Sequence, residues 1–405
     1  MVPKGWSQKL ISDVGAVVTG NTPPTSNPEY YNGKYPFVSP ADLGAHKLIN
    51  SSIKSLSSQG MEKARSVRAG ATLFTCIGST IGKIGLAGCT LATNQQINVV
   101  IPKPDYDDDY VYYQLELRAA YIAKLAGTQA VPIINKTTFE SQCILVPDSL
   151  PEQNKIAKIL STWDKAISTT EQLLANSQQQ KKALMQQLLT GKKRLLDNNG
   201  VRFSGEWRFK RINQIATRIQ RKSDGNEHPI LTISSLSGFV RQDERYNRYM
   251  AGESVKNYIL LERSEFAYNK GNSKTYEFGC VFDLDGYETG LVPHVYVCFK
   301  LKTGLSHRYF KYLFEADYLK PQLGALVNTG VRNNGLLNIK PDAFMSTQVP
   351  VPCIEEQERI ADVLHASSEL IGQLQKKLDC LKTEKQALMQ QLLTGKRRVK
   401  VEEVA

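Results

Sequence analysis

Two segments of the chain place apolar residues at alternating spacings of four and three. At heptad positions a and d, seven of ten residues are apolar in segment 156–188 and eight of ten in segment 360–392. A 3.5-residue apolar period held over five heptads predicts helices that pair as a coiled coil. The predicted seam consists of Ile156, Leu160, Trp163, Ile167, Leu174, Leu184, Leu188, Ile360, Leu364, Ile371, Leu374, Leu378, Leu381, Leu388 and Leu392.

Both segments also carry the signals that start and stop a helix. Pro151 and Pro352 stand at or just before the expected starts, where a missing N–H is harmless, and Gly191 and Gly395 stand at the expected ends. A helix over residues 152–189 would be ~55 Å long at 1.5 Å per residue. Packing of each helix on its own domain is the alternative to mutual pairing, which the two equally long seams favour.

An identical ten-residue sequence closes both segments. Residues 183–192 recur at 387–396, an offset of 387 − 183 = 204, and the alignment runs without a gap from Leu150 to Arg194. This period is far too long for a solenoid, so the chain is predicted to contain a duplicated domain with its helix. The predicted parts are a first domain at 1–150, its helix at 151–195, a linker at 196–204, a second domain at 205–352, its helix at 353–398 and a tail at 399–405.

The two domains are predicted to be α/β or α+β, with many short strands. Antiparallel pairing of the helices would place the domains at opposite ends of a rod, related by a pseudo-two-fold axis. The expected strands are 71–77 and 97–101 in the first domain and 265–268, 281–283 and 295–301 in the second, with short helices at 110–123 and 307–319.

The charge of the chain suits a polyanionic partner. The net charge is +12, and Lys and Arg that neutralise phosphates release condensed counterions. Charge alone does not distinguish such a protein from one that is merely basic.

Polar loops in the two domains supply candidates for DNA contact. Asn and Gln can bind adenine edges and Arg or Lys can bind guanine, although these residues are also what ordinary loops contain. The candidates are Lys83, Asn94, Gln95 and Gln96 in the first domain and Asn269, Lys270, Asn272, Lys274 and Arg332 in the second.

No catalytic or metal site is expected in this chain. Asn21-Thr22-Pro23-Pro24-Thr25 only approaches the base-holding motif of adenine methyltransferases, since it has an extra residue and lacks the aromatic. The segment 78–84 has three residues between its glycines and Ile after its lysine, so it fails as a P-loop. The acidic cluster at 105–109 is expected to be a solvated turn before a helix. The five histidines show no metal-ligand spacing.

The expected location is the cytoplasm of a prokaryote. No apolar run approaches the ~20 residues of a membrane span, and the first six residues lack the pattern of a signal peptide. The seven scattered cysteines form no C-x-x-C pair, which favours free thiols in a reducing compartment.

The chain resembles the specificity subunits of type I restriction–modification systems. The resemblance lies in the paired tails, Pro151-Glu-Gln-x-x-Ile-Ala157 and Glu356-Gln-x-x-Ile-Ala361, each ending in Leu-Met-Gln-Gln-Leu-Leu-Thr-Gly-Lys. The segments 76–83 and 94–98 are similar to the first target-recognition domain of that family, and 266–274 resembles a common form of the second.

The resemblance implies a sequence-specific DNA-binding subunit that is not itself an enzyme. It implies a bipartite, asymmetric DNA site, two methyltransferase subunits that methylate adenine N6, and two restriction subunits in the full complex. S-adenosylmethionine, ATP and Mg²⁺ are then held by those partners, and this chain needs no cofactor. A self-contained DNA methyltransferase or nuclease, and a coiled-coil scaffold that binds no DNA, stay open as alternatives.

Overall fold

The chain folds as a mixed α/β protein with two compact units. The computed structural model describes residues 2–127, 130–245, 253–271, 273–327 and 337–401. The first unit comprises residues 1–172 and 375–405, and the second comprises residues 173–374. Each unit has its own sheets and part of both long helices, so the predicted α/β (α+β) class with two sheet-bearing domains and two long helices is confirmed.

The sheet-bearing part of the first unit forms a five-stranded sheet, a four-stranded sheet and a strand pair. Their strand orders are β2-β10-β7-β8-β4, β5-β3-β9-β6 and β1-β11, for elements with the following bounds. They are β1 Trp6–Leu10, α1 Ile11–Val14, β2 Gly15–Thr19, β3 Tyr31–Val38, β4 Leu48–Ile49, β5 Lys54–Leu56, α2 Ser58–Lys63, β6 Ser66–Val67, β7 Thr72–Thr75, β8 Ile84–Ala87, β9 Leu91–Thr93, β10 Ile97–Pro102, α3 Asp108–Ala123, α4 Lys136–Glu140, β11 Cys143–Pro147 and the long helix α5 Leu150–Leu188, with 3₁₀ turns at Pro28–Tyr30 and Pro40–Asp42.

The sheet-bearing part of the second unit forms a four-stranded sheet and three strand pairs. Their orders are β13-β20-β17-β18, β12-β21, β14-β15 and β16-β19. The elements are β12 Arg208–Arg211, α6 Ile212–Ile215, β13 Ala216–Ile219, β14 Leu231–Ser234, β15 Gly238–Arg241, α7 Gln242–Arg245, β16 Ile259–Glu262, β17 Phe266–Asn269, β18 Cys280–Asp283, β19 Thr289–Val292, β20 Val297–Leu301, α8 His307–Glu315, α9 Lys320–Leu326, α10 Pro341–Met345, β21 Gln348–Val351 and the long helix α11 Ile354–Leu392, with a 3₁₀ turn at Glu253–Asn257.

Both long helices end on the glycine that the sequence indicates. Gly191 has φ +71° and Gly395 has φ +67°, the left-handed conformation that glycine adopts most easily. The Gly191 N–H donates to the Leu188 carbonyl, and the Gly395 N–H donates to the Leu392 carbonyl. The two copies of the ten-residue repeat therefore end in the same cap.

The burial of the long helices follows the heptad pattern. None of the fifteen predicted seam residues is exposed, and Ile156, Leu160, Ile360 and Leu364 are fully buried. In the first unit, Lys382 pairs with Glu171 on the other helix at 2.8 Å. Pairing of the two helices along their whole length stays a prediction.

Each long helix also contributes to the core of the sheet-bearing part beside it. In the first unit, Leu392 and Leu393 join the cluster that contains Tyr110 and Ile144. In the second unit, Leu188 and Leu189 join the cluster that contains Tyr309 and Phe344. Apolar side chains at the helix C-termini are therefore buried against the domains.

One predicted helix is shorter than expected. The predicted helix 307–319 ends at Glu315, because Asp317 adopts a left-handed conformation with φ +54° that a helix cannot contain. The chain then starts α9 at Lys320. The predicted strands are all present, with ends that differ by at most two residues.

Candidate nucleic-acid interface

A bidentate ion pair fixes the start of each long helix. In the first unit, Arg398 donates from Nε and Nη2 to the two carboxylate oxygens of Glu152 at 2.6 and 2.7 Å. In the second, Arg194 makes the same two bonds to Glu356, at the same two distances. The offsets, 398 − 194 and 356 − 152, are both 204. Both copies of the repeat therefore contain a bidentate Arg–carboxylate pair, a charge-assisted contact with a defined geometry.

The same arginines hold the beginning of each sheet-bearing part. Arg398 Nη1 donates to the Lys4 carbonyl at 2.7 Å, and Arg194 Nη2 donates to the Gly205 carbonyl at 2.9 Å. In the second unit, Trp207 Nε1 also donates to Glu356 at 2.9 Å. Each Glu–Arg pair thus connects a long helix to the segment that precedes the first strand of a domain.

A buried glutamine follows each of these glutamates. The side chain of Gln153 accepts from the Asp107 N–H at 3.0 Å and donates to the Pro147 carbonyl at 3.1 Å. Gln357 accepts from the Ser306 N–H at 3.0 Å and donates to the Pro352 carbonyl at 2.8 Å. The Glu-Gln dipeptide of both tails is therefore explained by contacts between helix and domain.

The lysine that interrupts each apolar seam binds a carboxylate of the neighbouring domain. Lys181 lies 2.5 Å from Glu315. Lys385 lies 3.0 Å from Glu116 and 2.7 Å from Asp164. Burial lowers the pKa of Lys385, but the two carboxylates outweigh it and the net shift is upward. Both seam lysines are therefore partners of the sheet-bearing parts.

Two of the first-domain candidates lie at the end of β3. The Asn94 N–H donates to the Val38 carbonyl at 3.0 Å, and Lys83 Nζ lies 3.4 Å from the Pro40 carbonyl. We call residues 19–22, 63–65, 77–83 and 94–96 the first rim. Lys83 is half-buried and forms no ion pair with a described residue.

The amide side chains of the first rim bind one another and the backbone. Asn94 Nδ2 donates to Gln96 Oε1 at 2.9 Å, and the Gln96 N–H donates to Asn94 Oδ1 at 3.1 Å. Gln95 between them is exposed, and its Oε1 accepts from the Thr22 hydroxyl at 2.7 Å. The structure thus brings the four candidates of the first domain to one rim.

The second-domain candidates lie at and after the end of β17. We call residues 218–222, 269–271, 273 and 274 the second rim. The side chain of Asn269 accepts from the Gly271 N–H at 3.0 Å, which shapes the turn. Burial, and then the charge of Arg218, lower the pKa of the half-buried Lys270. Lys274 is exposed. Asn272 and Arg332 lie outside the described residues.

Two exposed arginines near these candidates were not selected from the sequence. Arg65 of the first rim donates to the Thr19 carbonyl at 2.9 Å, and Arg218 of β13 lies near Lys270. Neither forms an ion pair with another described residue. No sequence signal identifies them, since each is a single cation whose neighbours come from distant parts of the chain.

Comparison with known proteins finds relatives that cover nearly the whole chain. Residues 3–177 match the family model described as the type I restriction modification DNA specificity domain. The MjaVIII specificity subunit of Methanocaldococcus jannaschii is 25% identical over 429 residues, covering 98% of this chain and 94% of the relative.

The resemblance to the specificity subunits of type I restriction–modification systems is confirmed over nearly the whole chain.

Two further specificity subunits match over shorter segments. The MjaIX specificity subunit of M. jannaschii and the HindI specificity subunit of Haemophilus influenzae each match 42% of this chain, at 30% sequence identity. The matched segments span 40% and 38% of those relatives' own lengths. All three relatives are specificity subunits.

Solved structures share the fold of this chain. The type I restriction–modification S subunit from M. genitalium superposes with a TM-score of 0.57 at 13% identity, over 97% of this chain and 96% of that one. A chain from work on complex assembly and conformational transition of the type I R-M system has a TM-score of 0.58 at 16% identity, over 98% and 100%.

The described residues contain neither a metal-binding cluster nor a helix that could span a membrane. Within residues 2–127, 130–245, 253–271, 273–327 and 337–401, no group of three or more His, Cys, Asp or Glu could hold a metal ion. In the same ranges no helix is long and apolar enough to cross a membrane. The acidic cluster before α3 has a local role, since Asp107 accepts from the Tyr110 N–H at 2.7 Å and caps that helix.

Proposed function

We propose that this specificity subunit directs partner methyltransferase and restriction subunits to a bipartite, asymmetric DNA site. Each sheet-bearing domain contacts one half of that site, and the long helices set the distance between the halves. Adenine N6 methylation, with S-adenosylmethionine, and ATP- and Mg²⁺-dependent cleavage belong to two methyltransferase and two restriction subunits. This chain performs no reaction and acts in the prokaryotic cytoplasm.

The observation that carries this proposal is that the contacts between helix and domain are the same in both units, whereas the polar rims beside them differ. The Arg–Glu pair, the buried glutamine and the seam lysine recur at an offset of 204, whereas the polar rims differ in residue type and connection. Two domains held in the same way but presenting different side chains suit two different half-sites. Five cations that pair with no carboxylate among the described residues, Lys83, Arg65, Arg218, Lys270 and Lys274, suit phosphates.

Methylation mapping in a host without adenine methylation tests this proposal. This chain is expressed with its cognate methyltransferase subunit, and modified adenines are located across the genome by single-molecule sequencing. We expect one split motif with a fixed spacer and methylation in each half. A contiguous motif, or methylation by the partner alone at the same sites, would contradict the proposal.

The alternatives predict different behaviour of the isolated chain. A self-contained methyltransferase or nuclease would bind S-adenosylmethionine or cut DNA without partners, and a scaffold would not bind duplex DNA. We expect neither turnover nor cofactor binding, together with DNA binding that weakens steeply as salt rises.

A further inference from the structure

Gly20 and the segment 21–25 that follows it, which only approaches a methyltransferase motif, are packed tightly into the first rim. The Gly20 N–H donates to the Ile97 carbonyl at 3.0 Å. A Cβ at Gly20 would lie 2.3 Å from the carbonyl oxygens of Thr93 and Asn94, so only glycine fits there. The two prolines that follow restrict φ. The position of Asn21 and Thr22 relative to residues 93–96 is therefore fixed.

The side chain of Asn21 holds the backbone that carries Arg65. Asn21 Nδ2 donates to the Lys63 carbonyl at 2.9 Å, and Asn21 Oδ1 accepts from the Arg65 N–H at 2.7 Å. Both ends of one amide thus bind a single three-residue stretch. This contact joins positions 44 residues apart and fixes where the Arg65 side chain begins.

The guanidinium of Arg65 keeps most of its donors free. It donates once, from Nη1 to the Thr19 carbonyl at 2.9 Å. No described carboxylate pairs with it, and the side chain is exposed. Since a guanidinium carries five N–H donors, it can still bind an anion through a fork of two.

Thr22 holds Gln95 in the same way that Asn21 holds Arg65. Its hydroxyl donates to Gln95 Oε1 at 2.7 Å, which defines the orientation of the exposed amide. Gln95 retains two N–H donors and one lone pair, the set that a bidentate contact to adenine needs. The adjacent residues Asn21 and Thr22 therefore hold the Arg65 guanidinium and the Gln95 amide at the same rim.

We propose that Asn21 and Thr22 are positioning residues that hold Arg65 for a DNA phosphate and Gln95 for a base edge of the first half-site. This inference rests on the proposed function, because it assigns roles within the DNA contact of the first domain. Neither Arg65 nor Asn21 was among the residues selected from the sequence.

DNA binding by the full chain distinguishes the phosphate role of Arg65 from the base-edge role of Gln95. The probe is a pool of random-sequence 40-base-pair duplexes, with affinity measured by fluorescence anisotropy from low to high salt. Removal of one phosphate contact reduces the salt slope by about one. We expect this from Arg65→Gln, and no change from Lys136→Gln, which removes a lysine of α4 that faces Glu140 at 3.8 Å. An unchanged slope for Arg65→Gln would overturn the phosphate role.

Asn21→Ala tests positioning rather than contact. We expect it to reduce the slope as far as Arg65→Gln does, and the double variant to go no further, because both changes disable one contact. Thermal unfolding confirms that each variant is folded. A wild-type slope for folded Asn21→Ala, or additive effects, would overturn its positioning role.

Selection of bound duplexes from the same pool tests Gln95. We expect Gln95→Ala to keep the salt slope and relax one position of the selected motif, and Thr22→Val to do the same more weakly. An unchanged motif for Gln95→Ala would overturn the base-edge role. Failure of the wild-type chain to bind the pool would instead contradict the proposed function, so the two failures are distinguishable.

Discussion

At the junction of sheet and long helix, Glu152 and Glu356 accept the same two bonds from Arg398 and Arg194. At the rim, the segments after β2 and β13 differ in charge. Asn21 and Thr22 are neutral and hold other side chains, whereas Arg221 is itself the cation and pairs with the buried Glu265 at 2.8 Å.

This contrast separates two kinds of requirement within one duplicated chain. A junction must hold a domain on a helix in both halves, so one geometry serves twice. A rim that contacts DNA must match its own half-site, so its side chains differ. The junction is therefore where mutations should act on stability, and the rim is where they should act on binding.

The largest effect is expected at the two glutamates. Glu356 is 1% exposed and has three donor contacts, so Glu356→Ala should cost about 3 kcal/mol because the half-buried Arg194 and Trp207 lose this acceptor. Glu152→Ala should cost about 1–2 kcal/mol, because the Arg398 side chain is 46% exposed and can be solvated. Urea unfolding with hydrogen exchange checks the size and place of each loss. Equal losses would contradict the ranking.

At the seam lysines the larger loss of stability is expected in the first unit, whereas at the glutamates it is expected in the second. Lys385→Met removes the cation from Glu116 and Asp164, which repel each other without it, and should cost about 2 kcal/mol. Lys181→Met removes the cation from Glu315 alone and should cost about 1 kcal/mol. The same unfolding experiment measures both. A larger loss for Lys181→Met would show that Asp164 does not contribute.

Two arginines of the rims should have opposite phenotypes. Arg221→Gln removes the nearer of the two cations that pair with Glu265, whose side chain is 1% exposed, and should destabilise the second unit by about 1–2 kcal/mol. Arg65→Gln should leave stability unchanged, since that guanidinium forms no ion pair with a described carboxylate. Parallel unfolding and DNA-binding curves separate the two. A reduced Tm for Arg65→Gln alone would reverse the assignment.

The smallest predicted effect is a pH dependence confined to the second unit. Burial raises the pKa of Asp317 to about 6 from 3.8. The folded state therefore binds a proton that the unfolded state lacks between about pH 4 and 6, and this residue's contribution to stability increases as pH falls through that window. Asp317→Asn should raise the Tm at pH 7.5 and reduce the pH dependence of the second unit. An unchanged pH profile would show that Asp317 titrates normally.

The sequence predicted the long helices best because three signals agree there: heptad, cap and repeat. It predicted strands where buried apolar runs are continuous, as in β10. It missed β3, whose residues 32–34 are Asn, Gly and Lys and give no alternation. It also missed Arg65, because a side chain 44 residues away in sequence defines its role.

The most direct test of the central claim exchanges one domain. Residues 1–147 are replaced by the equivalent block of a family member with a different methylated motif, and methylated adenines are mapped with the cognate methyltransferase subunit. If the two domains contact separate half-sites, one half of the motif changes while the other half and the spacer stay the same. A change in both halves, or in neither, would contradict the account.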